Sequence, residues 1–251
     1  MSPTVALRRV AHMDARELHF RARGALRIAA GRARQRWIPP HWDERRAGRL
    51  FGPHSPDGAR AAALLRARRV EDAEEVLQHL FSTRPSCWTI AANRRREIAA
   101  TIARRHPGAP DQARARAERI LSGAYDLLGY RAVPYGPSPD WHADAVHGRR
   151  AAQGFWADVP YLDPALGDHK IIWELNRHQH WLTLGRAFWL TGDSRYARTF
   201  VEQLHSWRAA NPPRFGINWA SMLELALRAI SWTWAIEFFA GSAAPARGEQ
   251  P

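Results

Sequence analysis

The chain has 251 residues, which suits one large domain or two small ones. Its formal net charge is +13, carried almost wholly by arginine, since Lys170 is the only lysine. A single cysteine, Cys87, excludes a disulfide framework and a cysteine-based zinc site within the chain. No apolar stretch reaches signal-peptide or membrane-span length, so the sequence as given predicts a cytoplasmic chain with no membrane contact.

The first half of the chain is predicted to be helical. Residues 13–36 form a basic amphipathic helix in which Leu18, Ala22, Leu26 and Ala29 recur at helical spacing among arginines. We interpret it as a solvated helix that packs on the main body, in preference to a helix lying on a membrane surface. Further helices are predicted over residues 57–82, 94–105 and 111–128.

The stretch 129–170 differs from the rest because it is rich in glycine, proline and aromatic residues. It is too aromatic for a disordered linker, and a long ordered loop of this kind is often functional. Asp140, His142 and Asp144 are metal-binding residue types, but no second cluster at ligand spacing accompanies them. We therefore predict no metal and no cofactor.

Three strong helices are predicted in the second half, over residues 171–191, 194–210 and 218–239. The first stops at Gly192-Asp193, and the third begins at Asn218, a plausible N-cap. Glu224 and Arg228 are spaced as an i,i+4 ion pair. The second helix has Tyr196, Phe200, Leu204 and Trp207 on one face, and the third has Trp219, Leu223, Leu227, Ile230, Trp234 and Phe238.

The pattern of elements predicts an all-α fold of stacked helical hairpins, because no strand signal of weight appears in the sequence. Three regions follow from the composition. Residues 1–50 form a basic helical segment, residues 51–240 the main helical domain, and residues 241–251 a disordered tail without apolar periodicity.

One segment places an unusual number of polar groups inside an apolar helix: Trp173-Glu-Leu-Asn-Arg-His-Gln-His180. It is followed by Leu-Thr-Gly-Asp-Ser-Arg-Tyr at 190–196 and Gly-Ile-Asn-Trp-Ala-Ser-Met-Leu-Glu at 216–224, and preceded by Asp-Trp-His-Ala-Asp at 140–144 and Phe-Trp-Ala-Asp at 155–158. This ordered series resembles the N-terminal domain of heparinase II/III-family polysaccharide lyases, most strongly from about residue 130 to 240.

The resemblance implies helical hairpins arranged as a partial (α/α) toroid, with a cleft for an acidic polysaccharide. The family cleaves uronate glycans by β-elimination, which removes the C5 proton and expels the C4 oxygen. Such an enzyme neutralises the sugar carboxylate and supplies a Tyr or His base. The family's Asn-His pair and catalytic Tyr follow the Gly-Ile-Asn-Trp helix, and nothing after Phe239 matches them. The catalytic residues therefore stay unknown, and we expect a truncated chain that is inactive alone.

The resemblance also implies which residues line the cleft. Asn176, Arg177, His178 and His180 would donate hydrogen bonds to acidic sugars, and two aromatic residues, Trp173 and Trp141, would stack on sugar rings. A structural role is the alternative: Glu174 is spaced to pair with Arg177 or His178, and His178 is then a buried histidine. Trp219, Trp232 and Trp234 are predicted to lie in the core.

Other functions remain open at this point. The main alternative is a non-catalytic helical domain that binds acidic glycans. A nucleic-acid partner is suggested only by charge, and we predict none, because the arginines are spread out and form no recognised module. A glycoside hydrolase needs an acid/base carboxylate pair, which is not evident. The location is also open, since family members are often periplasmic.

Overall fold

A computed structural model describes residues 13–43, 48–51, 55–83, 91–240 and 242. Cys87 and the predicted tail at 241–251, apart from Ser242, lie outside these ranges. The described chain is mostly helical, which confirms the predicted fold class. None of its helices is both long and apolar enough to cross a membrane.

The helices begin where the sequence supplies caps. Asp14 accepts a hydrogen bond from the Glu17 amide at 2.7 Å, and Ser55 caps the next helix ahead of Pro56. The helices are α1 Ala15–Trp37, α2 Pro56–Arg66, α3 Val70–Thr83, α4 Arg95–Arg105, α5 Ala109–Leu121, α6 His169–Asn176, α7 Gln179–Thr191, α8 Arg195–Ala210 and α9 Met222–Phe239.

Short strands are present, although the sequence carries no strand signal of weight. They form two antiparallel hairpins, β1 Ala124–Leu127 with β2 Tyr130–Pro134, and β3 Ala143–Asp144 with β4 Arg149–Arg150. The predicted helix 111–128 therefore ends at Leu121. Gly123 causes the change of direction: its φ is +83°, and a Cβ there would lie 2.1 Å from the Gly136 carbonyl carbon.

Two other predicted helices are interrupted. Residues 57–82 divide into α2 and α3 at Arg68, whose φ of 61° is incompatible with a continuous helix. Residues 171–191 divide into α6 and α7 at His178, with φ 58° and ψ 27°. The end of α7 is as predicted, because Gly192 adopts the left-handed conformation of a helix C-cap.

The core is built around α7, which packs against α4, α5, α8 and α9. Aromatic rings fill it: Trp181 packs edge-on against Phe200, and Phe200 stacks on Phe239 with ring centroids 4.8 Å apart. The predicted inner face of α8 is confirmed, since Tyr196, Phe200 and Trp207 are buried and Leu204 packs on the core.

Helix α9 is oriented against expectation. Its apolar residues Leu223 and Ile230 are exposed, whereas Glu224, Arg228 and Ser231 are buried. The predicted Asn218 cap is also wrong: Asn218 lies in a buried 3₁₀ turn, Ile217–Trp219, and the residue before α9 is Ser221. Hydrogen bonding to α6 holds the polar face inward, as described below.

Close approach of α7 and α9 depends on Gly185, because a Cβ there would lie 2.6 Å from the Phe238 Cβ. We expect Gly185→Ala to lower the free energy of unfolding by about 2 kcal/mol, since the helices must separate. Gly24→Ala is the matched control in an open helical position, where no atom lies within 4 Å. Urea denaturation measures both variants; an unchanged stability for Gly185→Ala would contradict this packing.

Candidate functional site

A cleft of about 760 Å³ lies beside α7. Helices α5, α7 and α9 and the β1–β2 hairpin form its walls, and Glu174 of α6 lies at its edge. Four residues of the α9 face that the sequence assigns to the core line this cleft: Leu227, Ile230, Trp234 and Phe238. Phe238 is also part of the core, and Trp219, Trp232 and Trp234 pack against it.

Arginines give the cleft a positive charge. Four lie in its wall: Arg116, Arg119, Arg131 and Arg186. Asp126 pairs with Arg119 at 2.9 Å and with Arg131 at 3.3 Å. Among the described residues, no carboxylate pairs with Arg116 or Arg186, so both guanidinium groups are available to an anion.

A chain of hydrogen bonds runs beneath the cleft floor. The Gln203 Oε1 accepts from the Trp181 Nε1 at 2.8 Å and lies 3.0 Å from the His180 Nε2, while the Gln203 Nε2 donates to the Tyr125 hydroxyl at 2.9 Å. Burial lowers the pKa of His180 to about 4 and raises the pKa of the Tyr125 phenol. Both side chains are therefore neutral at pH 7.

Asn176 ends α6 and is fully buried. Its Nδ2 donates to the Trp141 carbonyl at 2.8 Å and to the Ile172 carbonyl at 2.7 Å, and its Oδ1 accepts from the Trp207 Nε1 at 2.7 Å. The side chain thus satisfies three groups that have no access to water. It joins α6 to α8 and to the loop before β3.

His178, in the break between α6 and α7, is also buried, with its ring stacked 3.9 Å from that of Trp181. The Trp232 Nε1 donates to the His178 Nδ1 at 2.7 Å, so the ring proton is assigned to Nε2, which has no partner among the described residues. Burial holds the pKa of His178 well below its usual value.

Arg177 links α6 to α9. Its guanidinium donates to both carboxylate oxygens of Glu224, at 2.7 and 2.9 Å, and also to Glu174. The predicted contact of Glu174 with Arg177 is therefore present, whereas Glu224 pairs with Arg177 in place of the expected Arg228. The hydrogen bonds to Glu224 raise the pKa of Arg177 further above its usual range.

Arg228 of α9 also bonds to the end of α6. It donates to the Asn176 carbonyl at 2.9 Å and to the Asn218 carbonyl at 3.0 Å, and its guanidinium lies 4.6 Å above the Trp207 ring. Burial lowers the pKa of Arg228 to about 10, with the nearby Glu224 opposing the shift. The guanidinium therefore satisfies the carbonyl at the end of α6 and one in the 3₁₀ turn before α9.

The two tryptophans of the predicted site are buried as well. The Trp173 Nε1 donates to the Ile217 carbonyl at 3.1 Å, and the Trp141 Nε1 donates to the Ser206 hydroxyl at 3.0 Å. Of the six residues predicted to line the cleft, only His180 does so. The other five predicted residues are not among those that line the cleft: Trp141, Trp173, Asn176, Arg177 and His178. Their direct contact with a sugar stays a prediction.

The residues around Asp140 are occupied by internal contacts. Asp140 pairs with Arg150, the His142 Nε2 lies 3.1 Å from the Ala210 carbonyl, and Asp144 accepts from the His147 and Asp168 amides. In the part of the chain that the structure describes, no three His, Cys, Asp or Glu side chains are grouped as metal ligands.

Comparison with known sequences identifies the fold. The model of the family described as Heparinase II/III N-terminus matches residues 62–244, which is more than half of the chain. The chain belongs to the heparinase II/III N-terminal family. No curated protein matches it.

Two solved structures are similar. Heparinase III, the BT4657 gene product with methylated lysines, is 17% identical with a TM-score of 0.54, over 81% of this chain and 30% of that one. A mutant of the heparan sulfate lyase HepC from Pedobacter heparinus is 19% identical with a TM-score of 0.47, over 76% and 27%. The first likeness supports the partial (α/α) toroid. The chain spans about a third of the length of these lyases.

Sequence reasoning missed the cleft arginines and Tyr125. Arg116 and Arg119 lie three residues apart on α5, and helical spacing alone places them on one face. That signal is weak in this chain, because most of its helices carry arginines. Only the fold brings Arg131 and Arg186 to the same cleft.

The Arg177–Glu224 pair is expected to stabilise the heparinase II/III-type fold. Glu224→Gln leaves the partly buried guanidinium with Glu174 alone, so we expect the free energy of unfolding to fall by about 2 kcal/mol. Glu97→Gln, in the exposed pair with Arg94, is the matched control and is expected to change nothing measurable. Equal effects in guanidinium denaturation would contradict a structural role for Glu224.

Acidification is expected to destabilise the protein through His178 and His180. The pKa values of these two histidines are lower in the folded chain than in the unfolded chain. Their contribution to stability is therefore fully present above pH 6.5 and is lost as the pH falls towards 4. For His180 alone, we expect the free energy of unfolding to fall by about 1–2 kcal/mol between pH 7 and pH 5.

The measurement is urea denaturation at pH 7, 6 and 5. His180→Gln is expected to reduce the dependence on pH, whereas His106→Gln, at an exposed histidine, is expected to leave it unchanged. A pH dependence identical in all three proteins would show that burial of His180 does not cause it.

Proposed function

We propose that this chain binds an acidic, uronate-containing polysaccharide in the cleft beside α7 as the N-terminal part of a heparinase II/III-type lyase. The observation that carries the proposal is the pair Arg116 and Arg186, which lie in the cleft wall without a carboxylate partner among the described residues. Arginine forms paired hydrogen bonds with planar carboxylates, which matches a uronate group.

The remaining lining suits a sugar chain. The cleft volume lies within the usual range for ligand sites. Trp234 and Leu227 of α9 provide apolar surface, while Gln179 and Thr183 of α7 provide hydrogen-bonding groups. Among the residues predicted from the sequence, we assign contact with the sugar to His180 and a supporting role to Asn176, Arg177, His178, Trp141 and Trp173.

We further propose that the chain does not catalyse β-elimination alone. A base for the C5 proton needs a pKa near the working pH. The Tyr125 phenol has a raised pKa and is held by Gln203, and His180 has a pKa of about 4 and contacts the same amide. Neither group is suited to take up a proton at pH 7 and return it.

The catalytic part of the proposal is tested by following unsaturated-uronate absorbance with heparan sulfate, alginate and bacterial acidic glycans. We expect no product from the 251-residue chain when circular dichroism shows it folded. Product formation would overturn the claim of inactivity, and Tyr125→Phe and His180→Gln would then identify the base.

The binding part is tested with Arg116→Glu/Arg186→Glu. We expect affinity for heparin and for alginate to fall at least tenfold, because two sites for anions become repulsive. Arg66→Glu/Arg104→Glu changes the net charge equally at exposed positions outside the cleft wall and is the matched control.

Isothermal titration calorimetry in about 0.15 M salt limits the non-specific attraction of a basic chain. Equal losses in both double variants would mean that overall charge, and not the cleft, holds the glycan. Binding without product in the unmodified chain is also the outcome expected of a non-catalytic glycan-binding domain.

A further inference from the structure

Helix α1, Ala15–Trp37, presents its apolar stripe to solvent. The pattern Leu18, Ala22, Leu26 and Ala29 indicates the side that a helix normally packs on its core, yet all four are exposed. The same stripe ends in Trp37, which is 86% exposed, and Leu26 is 68% exposed. No residue of α1 is buried.

The contact with the body uses the opposite side of the helix. Gly24, Ile28, Gly31 and Gln35 are the partly exposed residues of α1, and their spacing of three and four places them on one face. The Phe155 ring lies 3.2 Å from the position of a Cβ on Gly31. The helix is thus fixed with its apolar stripe turned away from the protein.

An ion pair fixes this orientation. The Arg32 guanidinium donates to both oxygens of Asp158, at 2.5 and 2.8 Å, and lies 5.8 Å from the centre of the Phe155 ring. Rotation of α1 to bury Leu26 would break these contacts. Arg32 lies near the C-terminal end of α1, so the N-terminal part of the helix extends beyond this ion pair.

Arginines flank the apolar stripe on both sides. At about 100° per residue, Arg16, Arg23, Arg27 and Arg34 form a row about 27 Å long on one side. Across the stripe lie Arg21 and Arg32, which are paired with Glu17 and Asp158. Glu17 is the only acidic residue within α1, and among the described residues no carboxylate pairs with the four arginines of the row.

We infer that this face of α1 docks in the plane of an anionic lipid surface. Leucine and tryptophan enter the region between headgroups and acyl chains, while the arginines of the row reach the phosphates. Each arginine near such a surface adds attraction, and the apolar residues add contact that charge alone does not provide. The inference is independent of the glycan cleft, to which α1 contributes no residue.

Two other binding partners suit this face of α1 less well than a lipid surface does. A second copy of this chain would bring another row of arginines against the first, in a protein of net charge +13. A polyanionic glycan would pair with the arginines but would leave Leu26 and Leu18 exposed to water. An anionic lipid surface satisfies the charged and the apolar residues together.

The test is flotation of the full chain with vesicles of phosphatidylcholine, with and without about one third phosphatidylglycerol. We expect binding to the anionic vesicles only. Leu26→Gln/Trp37→Gln removes the apolar contact without a change in charge and is expected to weaken binding at least tenfold. Both side chains are exposed, so the variant is expected to fold normally.

Leu162→Gln/Met222→Gln is the matched control, because those side chains are 73% and 79% exposed elsewhere on the protein. It is expected to bind anionic vesicles as the unmodified chain does. Absence of binding to anionic vesicles, or equal binding by both double variants, would overturn the inference.

Two further measurements separate the alternatives. A dimer in light scattering that Leu26→Gln/Trp37→Gln converts to a monomer would assign the face to a second copy. A tenfold fall in the heparin affinity of the same variant, with its binding to anionic vesicles unchanged, would assign the face to a polysaccharide. Either result would overturn docking on lipid.

Discussion

The break between α6 and α7 is the point on which the rest of the structure depends. Asn176 ends the first helix, and its carbonyl is satisfied by Arg228 of α9, while its side chain satisfies Trp207 of α8 and the Trp141 carbonyl. Buried groups of this kind cannot turn to water, so their partners are held in one arrangement. Arg177, the residue after Asn176, adds an ion pair with Glu224, which lies on α9 as Arg228 does.

This cross-link explains the inverted orientation of α9. Glu224 and Arg228 face inward because their partners lie at the end of α6, and a buried charge without a partner would be costly. Leu227 and Ile230 then line the cleft, whose wall also contains the arginines. The same buried bonds that hold the fold thus shape the opening proposed to receive the glycan.

Positive charge is used in different ways across the molecule. Arg177 and Arg228 are committed to internal bonds, and Arg119 is paired with Asp126, whereas Arg116 and Arg186 are open to a ligand. On α1, Arg32 is paired with Asp158, whereas the row Arg16, Arg23, Arg27 and Arg34 borders an exposed apolar stripe. A net charge of +13 alone does not distinguish these roles.

The sequence by itself determined the helical class, the C-terminal ends of α7 and α8, the inner face of α8 and the family, because these depend on local periodicity, caps and ordered motifs. Only the tertiary structure decided which side of α1 and α9 is covered, where His178 breaks the helix, and that His180 alone of the predicted residues lines the cleft. The physical reason is that periodicity describes one helix at a time. The bonds Asn176–Trp207, Arg177–Glu224 and Arg228–Asn176 join residues that lie 31, 47 and 52 positions apart along the chain. These hydrogen bonds outweigh the local preference to bury leucine.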